Sequence, residues 1–86
     1  MNIHVAGLSL NIGEADLETL FSSYGEVSYV VIVRNRKNGR SLGQAFVEMP
    51  NQAQAEQAVN ALNDSCIDGN SITVRALEYK PGEFNN

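Results

Sequence analysis

Apolar and polar residues alternate most clearly over Leu42–Met49. At a period of two, Ala45, Val47 and Met49 share one face and are all apolar, whereas Leu42, Gln44, Phe46 and Glu48 form a mixed face. A half-buried strand turns its uniform apolar face to the core, so Phe46 is expected on the outside. The N-terminus repeats the pattern: over Asn2–Ala6, Ile3 and Val5 form the apolar parity and Asn2, His4 and Ala6 the other. Between these stretches the period changes. Leu17, Leu20, Phe21 and Tyr24 recur at i, i+3, i+4 and i+7, which predicts a helix over Glu14–Ser23. Glu14 and Asp16 lie in its dipole-favoured first turn, and Gly25 is suited to a left-handed cap. Val27–Arg34 is rich in β-branched residues and predicts a strand with two largely apolar faces. If Val30 and Ile32 point inward, Tyr29, Val31 and Val33 point outward.

Asn35–Ser41 reads as a loop with Asn38-Gly39 as its turn signal. A second helix starts at Pro50-Asn51, with Asn51 as N-cap, Gln54 placed for a capping box, and Ala55, Ala58, Val59 and Leu62 as the buried stripe. Asn63-Asp64-Ser65 ends it, Cys66-Ile67 meets an Asp68-Gly69 turn, and a last strand over Ser71–Ala76 buries Ile72 and Val74 while showing Thr73 and Arg75. Residues 1–77 are expected to form the domain and residues 78–86, with Pro81 and Gly82, a tail.

The order β-α-β-β-α-β predicts an α+β fold of the ferredoxin-like split βαβ type: a four-stranded antiparallel sheet with two helices on one face. The first and third strands are then the central pair and the other sheet face is bare. His4 and Phe46 fall side by side on that bare face. Two flat rings on an open sheet make a platform for flat ligands such as nucleobases. The residues alone leave a second use for Phe46, packing beneath a loop or the C-terminal tail.

Charge sharpens this picture. The net charge of −4 argues against a generic polyanion binder. The distribution is uneven, however: Arg34, Arg36, Lys37 and Arg40 lie in one acid-free stretch, and Glu14, Asp16, Glu18 and Glu26 in a base-free one. A local positive patch can hold a phosphate chain while the far side stays acidic; a solvated loop is the alternative. The single Cys66 and single His4 supply neither a disulfide nor a usual metal-ligand set, so no metal or cofactor is expected. The longest apolar run, Tyr29–Val33, is too short to span a bilayer, and the chain enters its first strand without a leader, so a cytoplasmic location is expected.

Several stretches resemble the RNA-recognition motif family. The family's long signature, Lys/Arg-Gly-Phe/Tyr-Gly/Ala-Phe-Val-x-Phe/Tyr, is matched by Leu42-Gly43-Gln44-Ala45-Phe46-Val47-Glu48-Met49. Its short first-strand signature is matched by Ile3-His4-Val5-Ala6-Gly7-Leu8, and Tyr24-Gly25-Glu26-Val27, Asn38-Gly39-Arg40-Ser41 and Ala61-Leu62-Asn63 are similar too. The likeness covers Asn2 to Ala76, and the short chain looks like the single-domain bacterial members.

The resemblance implies single-stranded RNA as ligand, with single-stranded DNA as a variant, no enzymatic activity and a monomer. It implies His4, Gln44 and Phe46 as the residues that stack on bases or meet their edges. Asn2, Val31, Arg34, Arg36, Lys37, Arg40, Arg75 and Lys80 are expected to add base or phosphate contacts. The departures fall on the binding positions: His4 replaces an aromatic, Gln44 stands where a third aromatic is expected, and Leu42 stands where a Lys or Arg would meet phosphate. Some RNA-binding members carry Gly-Gln-Ala-Phe, where the Gln bonds a base or supports the rings. The reduced aromatic set and the acidic charge motivate an alternative, a protein-interaction module using the acidic helix side or the patch of Val31, Leu42 and Phe46. A small acyl-phosphate hydrolase on the same scaffold is disfavoured, because Gly7–Gly13 has no Arg or Lys to cradle a phosphate and no nucleophile-base pair is evident.

Overall fold

A computed structural model describes residues 1–77. The elements are β1 (Asn2–Ala6), α1 (Glu14–Ser22), β2 (Tyr29–Arg34), β3 (Ser41–Glu48), α2 (Gln52–Leu62), β4 (Cys66–Ile67), β5 (Asn70–Ser71) and β6 (Thr73–Leu77). Four strands form one antiparallel sheet in the order β2-β3-β1-β6, so β1 and β3 are the central pair, as the strand order predicts. β4 and β5 make a separate hairpin around Asp68-Gly69, where Asp68 adopts a φ of 50°.

The core lies between the sheet and the two helices. Ile3 and Val5 of β1, Ala45 and Val47 of β3, Ile32 of β2 and Val74 of β6 are buried, as are Leu17 and Phe21 of α1 and Ala55, Ala58 and Leu62 of α2. The small alanines of α2 allow the helix axis to lie close to the strands, and Met49 and Ile72 fill the ends of the layer. Leu8, in the segment that follows β1, is buried as well.

Three local expectations change in the fold. Gly25 does not cap α1: the cap residue is Ser23, and a Cβ at Gly25 would collide with the Gln54 side chain, so this glycine permits close approach of α2. Asn51 does cap α2, its Oδ1 accepting from Gln54 N (3.0 Å), but Gln54 does not complete a capping box. Its Oε1 instead accepts from Glu26 N (3.2 Å), tying α2 to the connection between α1 and β2. The last strand begins at Thr73, not Ser71, because Ile72 is drawn into a turn: its N–H donates to Ser65 O (2.9 Å) and its carbonyl accepts from Asp64 N (2.8 Å).

β3 is bulged. The pairs Ile32–Ala45 and Arg34–Ser41 leave Val33 alone opposite Leu42, Gly43 and Gln44. Gly43 carries the strain, with φ of 76°; its carbonyl accepts from Leu8 N (2.9 Å), and a Cβ there would lie 2.9 Å from Leu8 O. Gly43→Ala is therefore expected to cost about 2 kcal/mol or more, from the left-handed backbone and the forced retreat of Leu8. Urea unfolding should show this as a lower midpoint at unchanged slope; an unchanged midpoint would contradict the bulge. Among the described residues no helix is long and apolar enough to cross a membrane.

Candidate nucleic-acid interface

Cross-strand register builds one row over the sheet face that the helices leave uncovered. Val31 of β2 faces Phe46 of β3, Phe46 faces His4 of β1, and His4 faces Arg75 of β6. Each alternates with a buried neighbour, so all four point away from the core. The His4 and Phe46 rings lie 5.2 Å apart between centroids at 49°, a tilted aromatic pair. His4 Nε2 lies 3.1 Å from Gln44 Oε1, so the ring donates there and Gln44 braces it. Phe46 is half-buried, Gln44 exposed and Val31 49% exposed, which makes the row an accessible shelf.

One register step along the sheet lies a second row: Tyr29, Glu48, Asn2 and Leu77. Asn2 is 7% exposed, and its Oδ1 accepts from the Tyr29 hydroxyl (2.8 Å). Expected as an edge contact, Asn2 is thus covered and its acceptor is engaged. Burial, and then the Glu48 carboxylate, push the Tyr29 phenol up from its ordinary value.

The basic residues divide into two groups. Arg36, Lys37 and Arg40 are exposed on the β2–β3 loop, which is fastened from within. Asn35 Oδ1 accepts from Lys37 N (2.8 Å) and Asn38 N (3.3 Å), Asn35 N donates to Arg40 O (2.8 Å), and Asn38 Oδ1 accepts from Arg40 N (2.9 Å). The loop therefore holds its cations outward at the end of the shelf. Arg34 is used differently. It shares the inward parity of Ile32, its guanidinium pairs with Glu14 of α1 (2.7 Å), and it donates to Gly39 O (3.3 Å). The Glu14 carboxyl is held below its ordinary value by its own backbone N–H and, against the opposing effect of desolvation, by Arg34 and the Ile32 N–H. Arg34 thus joins the loop and the sheet edge to the helix layer and lies apart from the row that holds Phe46. Arg75 is exposed within that row. Lys80, and the aromatic residues Tyr79 and Phe84 of the tail, lie outside the described residues.

The sequence assigned Tyr29 to the outer face only conditionally and left it out of the binding set. The signal that finds it is parity with Val31 two residues on, once Ile32 is known to be buried.

Comparison with known proteins agrees with this geometry. The profile described as "RNA recognition motif" matches residues 3–73. The putative RNA-binding protein RbpD of Nostoc sp. is 41% identical over 83 residues, covering 96% of this chain and 86% of that protein. The glycine-rich RNA-binding protein 1 of Mycosarcoma maydis is 35% identical over 79 residues. The chloroplastic 28 kDa ribonucleoprotein of Nicotiana sylvestris is 37% identical, also over 79 residues. Each match covers 92% of this chain, but the chain spans only 45% and 29% of those two proteins.

Among solved structures, the RNA binding protein PG1 superposes with a TM-score of 0.91 at 34% identity, covering 94% of this chain and 98% of that one. A chain of the Sxl-lethal protein/RNA complex gives 0.82 at 33% identity, covering 86% of this chain and 46% of that one. With the strand order, the paired rings on the open face and a profile match over nearly all the described residues, the chain belongs to the RNA recognition motif family.

Proposed function

We propose that this domain holds a short single strand of RNA on its open sheet face. Unpaired bases lie on Phe46 and His4, Gln44 meets a base edge, and the phosphate chain follows Arg36, Lys37, Arg40 and Arg75. Domains of this family are binding modules, not enzymes. The observation that carries the proposal is the row Val31–Phe46–His4–Arg75, which sets two rings 5.2 Å apart between an apolar flank and a cation. The RNA-binding names of the relatives and the RNA-bound neighbour support it. A flat, open shelf suits splayed bases and not the grooves of a duplex.

Magnitudes set the expected strength. Stacking contributes about 1–3 kcal/mol per base, so two rings give roughly 2–6 kcal/mol, against about 8 for a micromolar complex. Base-edge hydrogen bonds and phosphate contacts supply the remainder, and binding is weak to moderate with limited sequence preference. Single-stranded DNA meets the same rings, so discrimination rests on the 2′-hydroxyl. Both rings and the basic loop come from one chain, so a monomer suffices.

The test is a titration of fluorescently labelled short single-stranded RNA over a range of salt concentrations. Four cations predict a slope of log K against log salt of about −2 to −3. A flat salt response, or no binding at low salt, would remove the proposal.

A further inference from the structure

Tyr29 is the one aromatic side chain that the sequence placed on the outer face without assigning it to the site, and its geometry is unusual. It starts on the edge strand β2, where it faces Glu48 of β3, and its hydroxyl reaches Asn2 of β1 (2.8 Å). Glu48 is the cross-strand partner of Asn2 as well, so the side chain crosses β3 entirely. Neighbouring strands are about 4.8 Å apart, so a phenol making that crossing lies along the sheet and does not stand up from it. Its ring therefore runs lengthwise across the open sheet face. The residue is 37% exposed although the group it anchors to is buried. The raised ionisation of the phenol has the same origin: a desolvated hydroxyl near the Glu48 carboxylate.

We infer that Tyr29 is an additional base platform, pinned by Asn2, that extends the footprint of Phe46 and His4 by one unpaired base. Glu48, its cross-strand partner, is two residues from Phe46 along β3, which places the two platforms about 7 Å apart along the sheet. Glu48 also decides which part of a nucleotide can lie here. Its carboxylate repels a phosphate but accepts from base amino or imino groups, so the ring face takes a base and the phosphate chain stays at the far, basic end. Pinning the hydroxyl fixes where the side chain lies on the sheet before the ligand arrives, so less ordering is required on binding. The inference rests on the binding face proposed above and adds a subsite to it.

The test compares wild type, Tyr29→Ala, Tyr29→Phe and Phe46→Ala against one labelled single-stranded RNA hexanucleotide. NMR is used to follow the Tyr29 ring protons of the wild type. The expected result is a loss of about fivefold or more for Tyr29→Ala, a smaller loss for Tyr29→Phe, which keeps the ring but not its anchor, and an upfield shift of the Tyr29 ring signals on binding. Wild-type affinity in Tyr29→Ala together with a loss in Phe46→Ala would overturn this subsite and leave the binding face standing. Unchanged affinity in both would overturn the binding face itself. A Tyr29→Phe loss as large as that of Tyr29→Ala would show that the hydroxyl, and not the ring face, makes the contact. Unshifted ring signals in saturated wild type would overturn the subsite whatever the variants do to folding.

Discussion

Phe46→Ala is expected to lower affinity for short single-stranded RNA by about tenfold to a hundredfold, the free energy of stacking one base. The thermal midpoint should change little. Both halves of this expectation come from the same geometry. Phe46 lies in the middle of the exposed row, with Val31 on one side and His4 on the other. Its removal deletes one platform and takes away the ring against which His4 is tilted, 5.2 Å away. Gln44 still braces His4 through the 3.1 Å contact, so some binding remains. Stability is nearly untouched because the same strand buries Ala45 and Val47 on its other face. A cross-strand aromatic pair on an open face contributes less than about 1 kcal/mol. Fluorescence anisotropy with labelled RNA and a thermal melt of the same samples measure the two halves. Equal affinity of the two proteins would remove the stacking mechanism. A large fall in the melting temperature would mean that Phe46 is part of the core.

The sequence carried the frame of this site better than its details, and the difference has a physical source. Face assignments in β1 and β3 depend on a local period of two, so Ile3, Val5, Ala45 and Val47 could be turned inward, and His4 and Phe46 outward, from the string of residues alone. The strand order then made these two strands neighbours. What stayed hidden depends on contacts between residues far apart in the chain. Arg34 reads as one more cation in a basic stretch until α1 brings Glu14 to it. Asn2 reads as an exposed polar residue until Tyr29, 27 positions away, reaches across to cover it. Gly43 reads as a signature glycine, but its reason is the Leu8 carbonyl that leaves no room for a Cβ. In each case the residue type was visible and the partner was not. The partner decides whether a charge or an amide is free to meet RNA.

Phe21→Ala should produce the opposite pattern to Phe46→Ala, and the contrast separates scaffold from interface. Among the described residues Phe21 is the largest side chain that is fully buried, lying on the face of α1 that packs against the sheet. Truncating a buried Phe to Ala costs about 3–5 kcal/mol through lost burial and the cavity left behind. A domain of this size has roughly 4–13 kcal/mol in total, so the variant melts far below wild type and is partly unfolded near room temperature at the lower end of that range. The folded fraction nevertheless keeps the row Val31–Phe46–His4–Arg75, which is set by strand register and lies on the other side of the sheet from Phe21. Saturating RNA should therefore stabilise Phe21→Ala by the same free energy as wild type, about 2.7 kcal/mol at a hundred times the dissociation constant. Phe46→Ala should start from a high melting temperature and gain much less at that RNA concentration. Melts of the three proteins with and without RNA read both effects at once. A smaller RNA-induced stabilisation of Phe21→Ala than of wild type would show that the core and the open face are coupled, so that the platform could no longer be treated as a surface carried by an independent scaffold.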